Sequence, residues 1–194
     1  MRYFFTSDSH YFHLNIINYC NRPFKDVEEM NSVIMKKFNE KVKKDDTVYF
    51  LGDFGFFASS NRAFRGEGQP YNADDILKQL NGKRWYFVKG NHDKSSNKLK
   101  TNVKSITIKQ SNLTIELVHN PKDADTKHDL ILCGHVHDHW LIKEIKKDKK
   151  TVPVINVGVD RWNFYPVTWE DIYSIYCKWK KGISLETLNK IKVK

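Results

Sequence analysis

The chain has 194 residues, 40% of them hydrophobic and 13% aromatic, which suits one globular domain able to bury roughly 70% of its unfolded surface. No apolar run approaches the ~20 residues of a membrane span, and the opening MRYFFTSDSH has no small-residue cleavage pattern, so neither a membrane anchor nor a signal peptide is expected. The net charge of +10, from 33 Lys and Arg against 23 Asp and Glu, attracts polyanions and phosphorylated ligands and says nothing about fold.

Residues 4–6 read as a first strand that delivers Asp8-Ser9-His10. Asn15–Tyr19 reads as a short helix ending before Arg22-Pro23-Phe24. Asp26-Val27-Glu28-Glu29 has the spacing of a capping box. It opens a helix over 27–43, whose Val27, Met30, Ile34, Phe38 and Val42 fall at helical spacing and belong to the core. Val48–Leu51 is a strand running into Gly52-Asp53. The stretch 58–71, rich in Ser, Gly, Arg and Asn, follows as a loop in which Arg62 and Arg65 are candidates to touch substrate. A second helix is expected over Ala73–Leu80, with Ile76, Leu77 and Leu80 inward and Gly82 as its cap.

Trp85–Val88 is another strand and ends at Gly90-Asn91-His92-Asp93. The second half reads as strands at 103–109, 113–118, 130–133, 140–146 and 152–157, with a hairpin turn around Lys146–Lys150. Thr168 starts an amphipathic helix with Ile172, Ile175, Tyr176 and Trp179 inward and Gly182 closing it. A short helical tail follows from about Ser184. The Lys-rich runs 143–150 and 178–194 do not interleave aromatics as single-strand nucleic-acid platforms do, so both read as solvated surface. No repeat or linker appears, and 1–194 is expected to form one unit. Cys20, Cys133 and Cys177 are odd in number and lack a CxxC pair, which argues against a disulfide framework and for a cytoplasmic protein.

Six of these apolar runs stop at residues that hold metals or handle protons. Parallel strands are apolar because both faces are covered, and their carboxyl ends open into a ligand crevice. Asp8 and His10, Asp53, Asn91, His119, and His135 with His137 therefore converge on one polar centre. Aspartate, imidazole and an amide oxygen suit first-row divalent ions. The absence of thiolates argues against a finger-type zinc site. Seven donors exceed one tetrahedral ion and suffice for two that share a carboxylate. Two ions about 3.5–4 Å apart clamp the attacking and leaving oxygens of a phosphoryl displacement. Against ionised Asp8 and Asp53 they leave a formal +2, which welcomes phosphate. The bland alternative makes each histidine a hydrogen-bonded core residue. It accounts poorly for five of the eight histidines (His10, His92, His119, His135, His137) falling at strand ends.

The blocks DxH, GD, GNHD, a later lone His and GHxH, in order from Asp8 to His137, resemble the signature of the calcineurin-like metallophosphoesterases. His10-Tyr11-Phe12-His13, Asn21–Phe24 and Asn156–Val167 extend the likeness to small microbial or phage-type members. What the resemblance implies is an α/β (α+β) fold: a two-sheet β-sandwich flanked by helices in four layers, with a dinuclear site on one edge. It implies that Asp8, His10 and His137 hold one ion, that Asn91, His119 and His135 hold the other, and that Asp53 bridges. His92 would protonate the leaving oxygen, oriented by Asp93, while a metal-activated hydroxide attacks phosphorus. Mn²⁺ is the expected metal, with Fe, Co, Ni or Zn as alternatives. Arg22, His13 and Asn15 are weaker candidates for binding substrate, and Asp160 for steadying a ligand imidazole. The expected substrate is a small phosphorylated molecule, a diester before a monoester, with no membrane partner. The rivals are a nuclease acting on nucleic acid, whose relatives carry added DNA-grasping parts, and a non-enzymatic scaffold. The likeness departs from the family at Phe56, where GDxxD has its second acid, and at Asn120-Pro121, where glycine is frequent.

Overall fold

A computed structural model describes residues 1–56, 73–95, 99, 103–147 and 150–191. The expected loop 58–71, with Arg62 and Arg65, lies outside the described residues.

The fold is mixed α/β with two mixed sheets. β1 (Tyr3–Thr6), β2 (Thr47–Phe50) and β3 (Arg84–Phe87) are parallel, and β9 (Val167–Thr168) runs antiparallel to β1, giving the order β3-β2-β1-β9. The second sheet has the order β4-β5-β6-β8-β7. In it β5 (Leu113–Val118), β6 (Leu130–Cys133) and β8 (Lys150–Asn156) are parallel, while β4 (Ser105–Gln110) and β7 (Ile142–Lys147) pair antiparallel at the edges.

The period of two along each strand sorts side chains to opposite faces. Phe5 and Leu51 of the first sheet meet Ile115, Leu117, Leu130, Leu132, Ile155 and Val157 of the second in a shared core. Phe4, Val48 and Phe50 point the other way. They pack with Met30, Ile34 and Phe38 of α2 (Val27–Lys41) and Ile76 of α3 (Ala73–Leu77). Ile131, Cys133, Val152 and Val154 face outward from the second sheet, where Trp140, Ile145 and Ala124 pack against them.

Several local expectations change. β3 was expected to be covered on both faces, yet it is the edge strand of its sheet and alternates between exposed and half-buried residues. The helix expected to reach Leu80 ends at Leu77, and single turns carry the chain on to Leu80. The capping box at Asp26 is half made. Asp26 accepts from the Glu29 N–H, but Glu29 reaches back to the Lys25 N–H instead of to that of Asp26. A complete one forms between Thr168 and Asp171 at the start of α4 (Trp169–Lys180). Gly182 follows with φ +81°, a left-handed conformation that ends the helix. α5 (Leu185–Asn189) is capped by Ser184. No described helix is long and apolar enough to cross a membrane.

Candidate metal centre

Each donor hangs from the C-terminal end of a parallel strand, which brings five distant segments to one edge of the paired sheets. β1 and β2 continue their pairing into the site: the N–H groups of Asp8, His10 and Tyr11 donate to the carbonyls of Gly52, Asp53 and Phe54 at 3.0, 3.1 and 3.0 Å. Five of the seven expected ligands (Asp8, His10, Asp53, His135 and His137) have φ between +46° and +71°. Non-glycine residues in that region cost about 1–3 kcal/mol each and persist where the surroundings over-determine them, typically at functional sites. Close approach explains two glycines. A Cβ on Gly134 would run into Ser7 Oγ and Asp8 Oδ2, and one on Gly90 into the amide and carboxylate of Asp53.

Ligand atoms of Asp8, His10 and His137 lie within 4.8 Å of one another, as do those of Asp8, Asp53 and His119. One oxygen, Asp53 Oδ2, stands 3.5 Å from His10 Nε2 and 3.3 Å from His119 Nε2, and so lies between the two groups. Asn91 Oδ1 is 2.9 Å from both His119 Nε2 and His135 Nδ1.

The neighbours of these rings decide which nitrogen is free. His119 Nδ1 is 2.8 Å from the Leu51 carbonyl, which can only accept, so Nδ1 carries a proton and Nε2 is the nitrogen turned to the centre. His137 Nδ1 is 2.9 Å from Asp160 Oδ2, the steadying contact expected of Asp160. His10 Nδ1 meets His13 Nδ1 at 3.2 Å, while His10 Nε2 is buried with no hydrogen-bond partner. An orphaned imidazole nitrogen beside three carboxylate and imidazole groups is costly unless something binds it. A divalent cation fits that place and this donor set.

The electrostatics favour positive charge. Burial lifts the Asp8 carboxyl to about 6, against the pull of His119 and His137. Asp53 is held below the usual carboxylate range: burial would raise it, but His119 and the His92 N–H outweigh that. Burial works against protonation of His119 and His137, yet the carboxylates of Asp53, Asp8 and Asp160 lift them to about 9 and 10. His10 is pushed well below the usual imidazole value by burial and by Arg22. A field that draws protons onto two imidazoles also draws cations.

Three expected roles are corrected. Arg22 does not reach toward substrate. Its guanidinium forks onto Asp160 at 2.8 and 3.0 Å, donates to the Ser9 and Asp8 carbonyls at 3.0 and 2.7 Å, and turns its fifth N–H to Met30 Sδ at 3.4 Å, leaving no donor for a phosphate. His13 is turned inward against His10 and stacks on Phe56 with ring centres 4.7 Å apart. Burial, with His92 and Arg22, lowers it to about 4, so the ring is neutral. Asp93 does not orient the His92 ring. Its carboxylate accepts the N–H groups of Asp53, Phe54 and Gly90 at 3.0, 3.1 and 2.8 Å and ties two ligand loops together. Asn15 opens α1 (Asn15–Tyr19), and its side chain makes no hydrogen bond among the described residues. His92 is half-buried, its ring 5.1 Å from that of His10, and its N–H donates to Asp53 Oδ1 at 2.8 Å. Phe56, where the family's acid stands, packs edge-on to His92 at 6.1 Å.

Sequence reasoning missed Asn156. Fully buried, its amide donates to the carbonyls of His137 and Trp140 at 2.7 and 2.9 Å and accepts the Gly158 N–H, pinning the loop that carries His135 and His137. A lone amide inside an apolar run was the available signal, since buried polar groups are there to make hydrogen bonds. Cys20, which lies with His137 and Asp160 within 4.8 Å, carried no such signal.

Residues 1–164 match the model of the calcineurin-like phosphoesterase superfamily domain, and the chain belongs to that family. The particular relatives bring no activity with them. The uncharacterised protein MJ1445 of Methanocaldococcus jannaschii is 36% identical over 187 residues, 94% of either chain. Protein AQ665 of unknown function from Aquifex aeolicus has a solved structure with a TM-score of 0.63 at 26% identity, covering 90% of this chain and 98% of its own. The E. coli phosphoesterase YfcE is similar over 80% of this chain and 78% of its own at 15% identity, with a TM-score of 0.43, too distant to speak for activity.

Proposed function

We propose that this protein is a phosphodiesterase that holds two divalent transition-metal ions, Mn²⁺ foremost. The observation that carries the reading is Asp53 Oδ2 standing between His10 Nε2 and His119 Nε2, with the His10 nitrogen buried and otherwise unpartnered. Asp8, His10 and His137 would hold one ion, Asn91, His119 and His135 the other, and Asp53 would touch both. When bound, the ions lower the pKa of a water and neutralise charge on the phosphate.

The chain's own residues supply the rest. Arg22 fixes Asp160, Asp160 holds His137, and His13 holds His10, so three imidazoles and carboxylates arrive already oriented. In the displacement a water oxygen bonds to phosphorus, the bond to the leaving oxygen breaks, and one water proton passes to solvent. His92 hands its proton to the leaving oxygen, which an alkoxide needs and an acidic phenol does not. That difference supports a diester with an alkyl leaving group. α4 and α5 fall outside the family match, yet Trp169, Ile172, Ile175 and Leu188 share the inter-sheet core, which supports treating 1–194 as one unit.

The test is metal content and turnover together. Purified protein given Mn²⁺ should carry about two equivalents and hydrolyse bis(p-nitrophenyl) phosphate. Asp53→Asn should lose turnover and part of the metal. An active, fully loaded variant removes the bridge, and wild type with less than one equivalent overturns the reading.

A further inference from the structure

A second feature begins where the centre ends. A cavity of about 720 Å³ opens at His135 and runs between the 120–126 segment and β7. That volume lies within the roughly 300–1,000 Å³ of small-ligand sites. Trp140 and Val154 line its apolar part, and Lys122, Lys143 and Lys147 its rim. All three lysines are exposed, and none has an acidic partner among the described residues. The acidic residue lining the cavity, Glu144, already accepts from Trp179 Nε1 at 2.8 Å and lies 3.9 Å from Lys146.

Trp140 stands apart from the other four tryptophans. Trp85, Trp162, Trp169 and Trp179 each donate their indole N–H to a protein oxygen, at 3.3, 2.8, 3.0 and 2.8 Å. Trp140 donates to none among the described residues, and its ring makes no aromatic pair there. Its backbone is nonetheless fixed, since Asn156 binds the carbonyls of both Trp140 and His137. One rigid loop thus carries two of the proposed metal ligands and an unpartnered indole facing a basic cavity. Indole faces take bases by stacking and the N–H takes a base acceptor, while free lysines take phosphates. In the sequence the Lys-rich run 143–150 reads as bare surface because no aromatic interrupts it. The strand start at Ile142 places Trp140 just ahead of it, at the same cavity.

We propose that this groove binds a nucleotide unit of the substrate, its base against Trp140 and a phosphate beyond the scissile one against Lys122, Lys143 and Lys147. The substrate class is then a nucleoside-bearing phosphodiester, either a dinucleotide or the end of a single strand. The inference rests on the phosphodiesterase reading for its catalytic consequence, and its binding consequence is tested separately.

With Mn²⁺-loaded protein, the selectivity ratio is kcat/KM on a dinucleotide over kcat/KM on methyl p-nitrophenyl phosphate. Trp140→Ala should lower it about tenfold, mostly through KM. The double variant Lys143→Ala/Lys147→Ala, exposed and safe for folding, should lower it as well and flatten the salt dependence of dinucleotide binding. In chelator, fluorescence anisotropy of a labelled phosphorothioate dinucleotide and of a labelled single-stranded decamer should show binding that both variants weaken; whichever probe binds tighter identifies the source of the nucleotide. An unchanged ratio in both variants, or no binding of either probe by wild type, overturns the groove. Absence of turnover on every ester, with probe binding intact and sensitive to Trp140, overturns the phosphodiesterase reading and leaves the groove standing.

Discussion

Asp8 and His10 are 0% and 1% exposed, whereas Asn91 is exposed and His135 half-buried. The two halves of the centre differ further in what stands behind them. Behind the inner half lies a buried chain of contacts: Arg22 grips Asp160, Asp160 grips His137, and His13 meets His10. Behind the outer half, the Leu51 carbonyl holds the buried His119 ring, but the His135 ring contacts Asn91 Oδ1 and has no other hydrogen-bond partner among the described residues. A ligand whose rotamer is already fixed loses little freedom on binding, so the inner half is built to retain an ion. Asn91 and His135 of the outer half face solvent, and His135 also lines the basic groove, which is where a substrate must arrive.

The largest expected effect belongs to His92, whose ring stands 5.1 Å from that of His10 on the inner side. If His92 is the proton donor, His92→Ala should slow hydrolysis of alkyl phosphodiesters by about 10²–10⁴-fold and nitrophenyl diesters much less, because nitrophenolate leaves without a proton. Steady-state rates on the two ester types check this, and equal losses would remove His92 from the acid role. Next comes a contrast between the halves. Asp160→Asn should weaken the tighter step of a Mn²⁺ titration by about 10–100-fold, through His137, while sparing the weaker step. Asn91→Ala should do the reverse. Calorimetric titration separates the two steps, and both variants acting on the same step would break the comparison.

The centre was legible because strand ends leave a sequence mark: an apolar run, a glycine, then a donor. Asp53, Asn91 and His135 carry it in full, Asp8 and His119 follow their apolar runs without the glycine, and the fold brings Asp8, Asp53 and His119 together. What stands behind the ligands was less legible. Arg22 and His13 look like substrate contacts in the sequence because they are polar and close to a ligand. Arg22 engages Asp160 from far along the chain, a tertiary fact that spacing does not encode, while a local turn folds His13 back onto His10. Asp93 misleads for a similar reason: adjacency to His92 suggests a pair, while the 3-10 turn at His92–Ser95 aims its carboxylate at three main-chain N–H groups. The helix end shifted at Leu77, where Gln79 and Leu80 bond back three residues instead of four. Strand β3 was misjudged because an apolar run does not reveal whether a sheet continues beyond it.

The smallest effect lies at the opposite ends of β1 and β2, far from the ligands, and serves as the contrast to both halves. Asp46, 4% exposed, accepts the Arg2 and Lys43 N–H groups at 2.8 and 2.9 Å and the Arg2 guanidinium at 3.2 Å, tying the entry of β1 to the turn before β2. Burial alone would raise its pKa, but these hydrogen bonds and the Arg2 charge bring it below the usual 3.8. A carboxyl depressed in the folded state stabilises the fold above its unfolded pKa, and that contribution is lost as pH falls through the folded value. Asp46→Asn should therefore cost about 1–2 kcal/mol at pH 7, measured by urea unfolding in chelator. The gap between the two proteins should hold from pH 7 to about 5 and close below about pH 4. Mn²⁺ affinity should be unaltered, because Asp46 touches neither half of the centre. A gap that persists at acid pH would mean that the loss is one of packing rather than of charge.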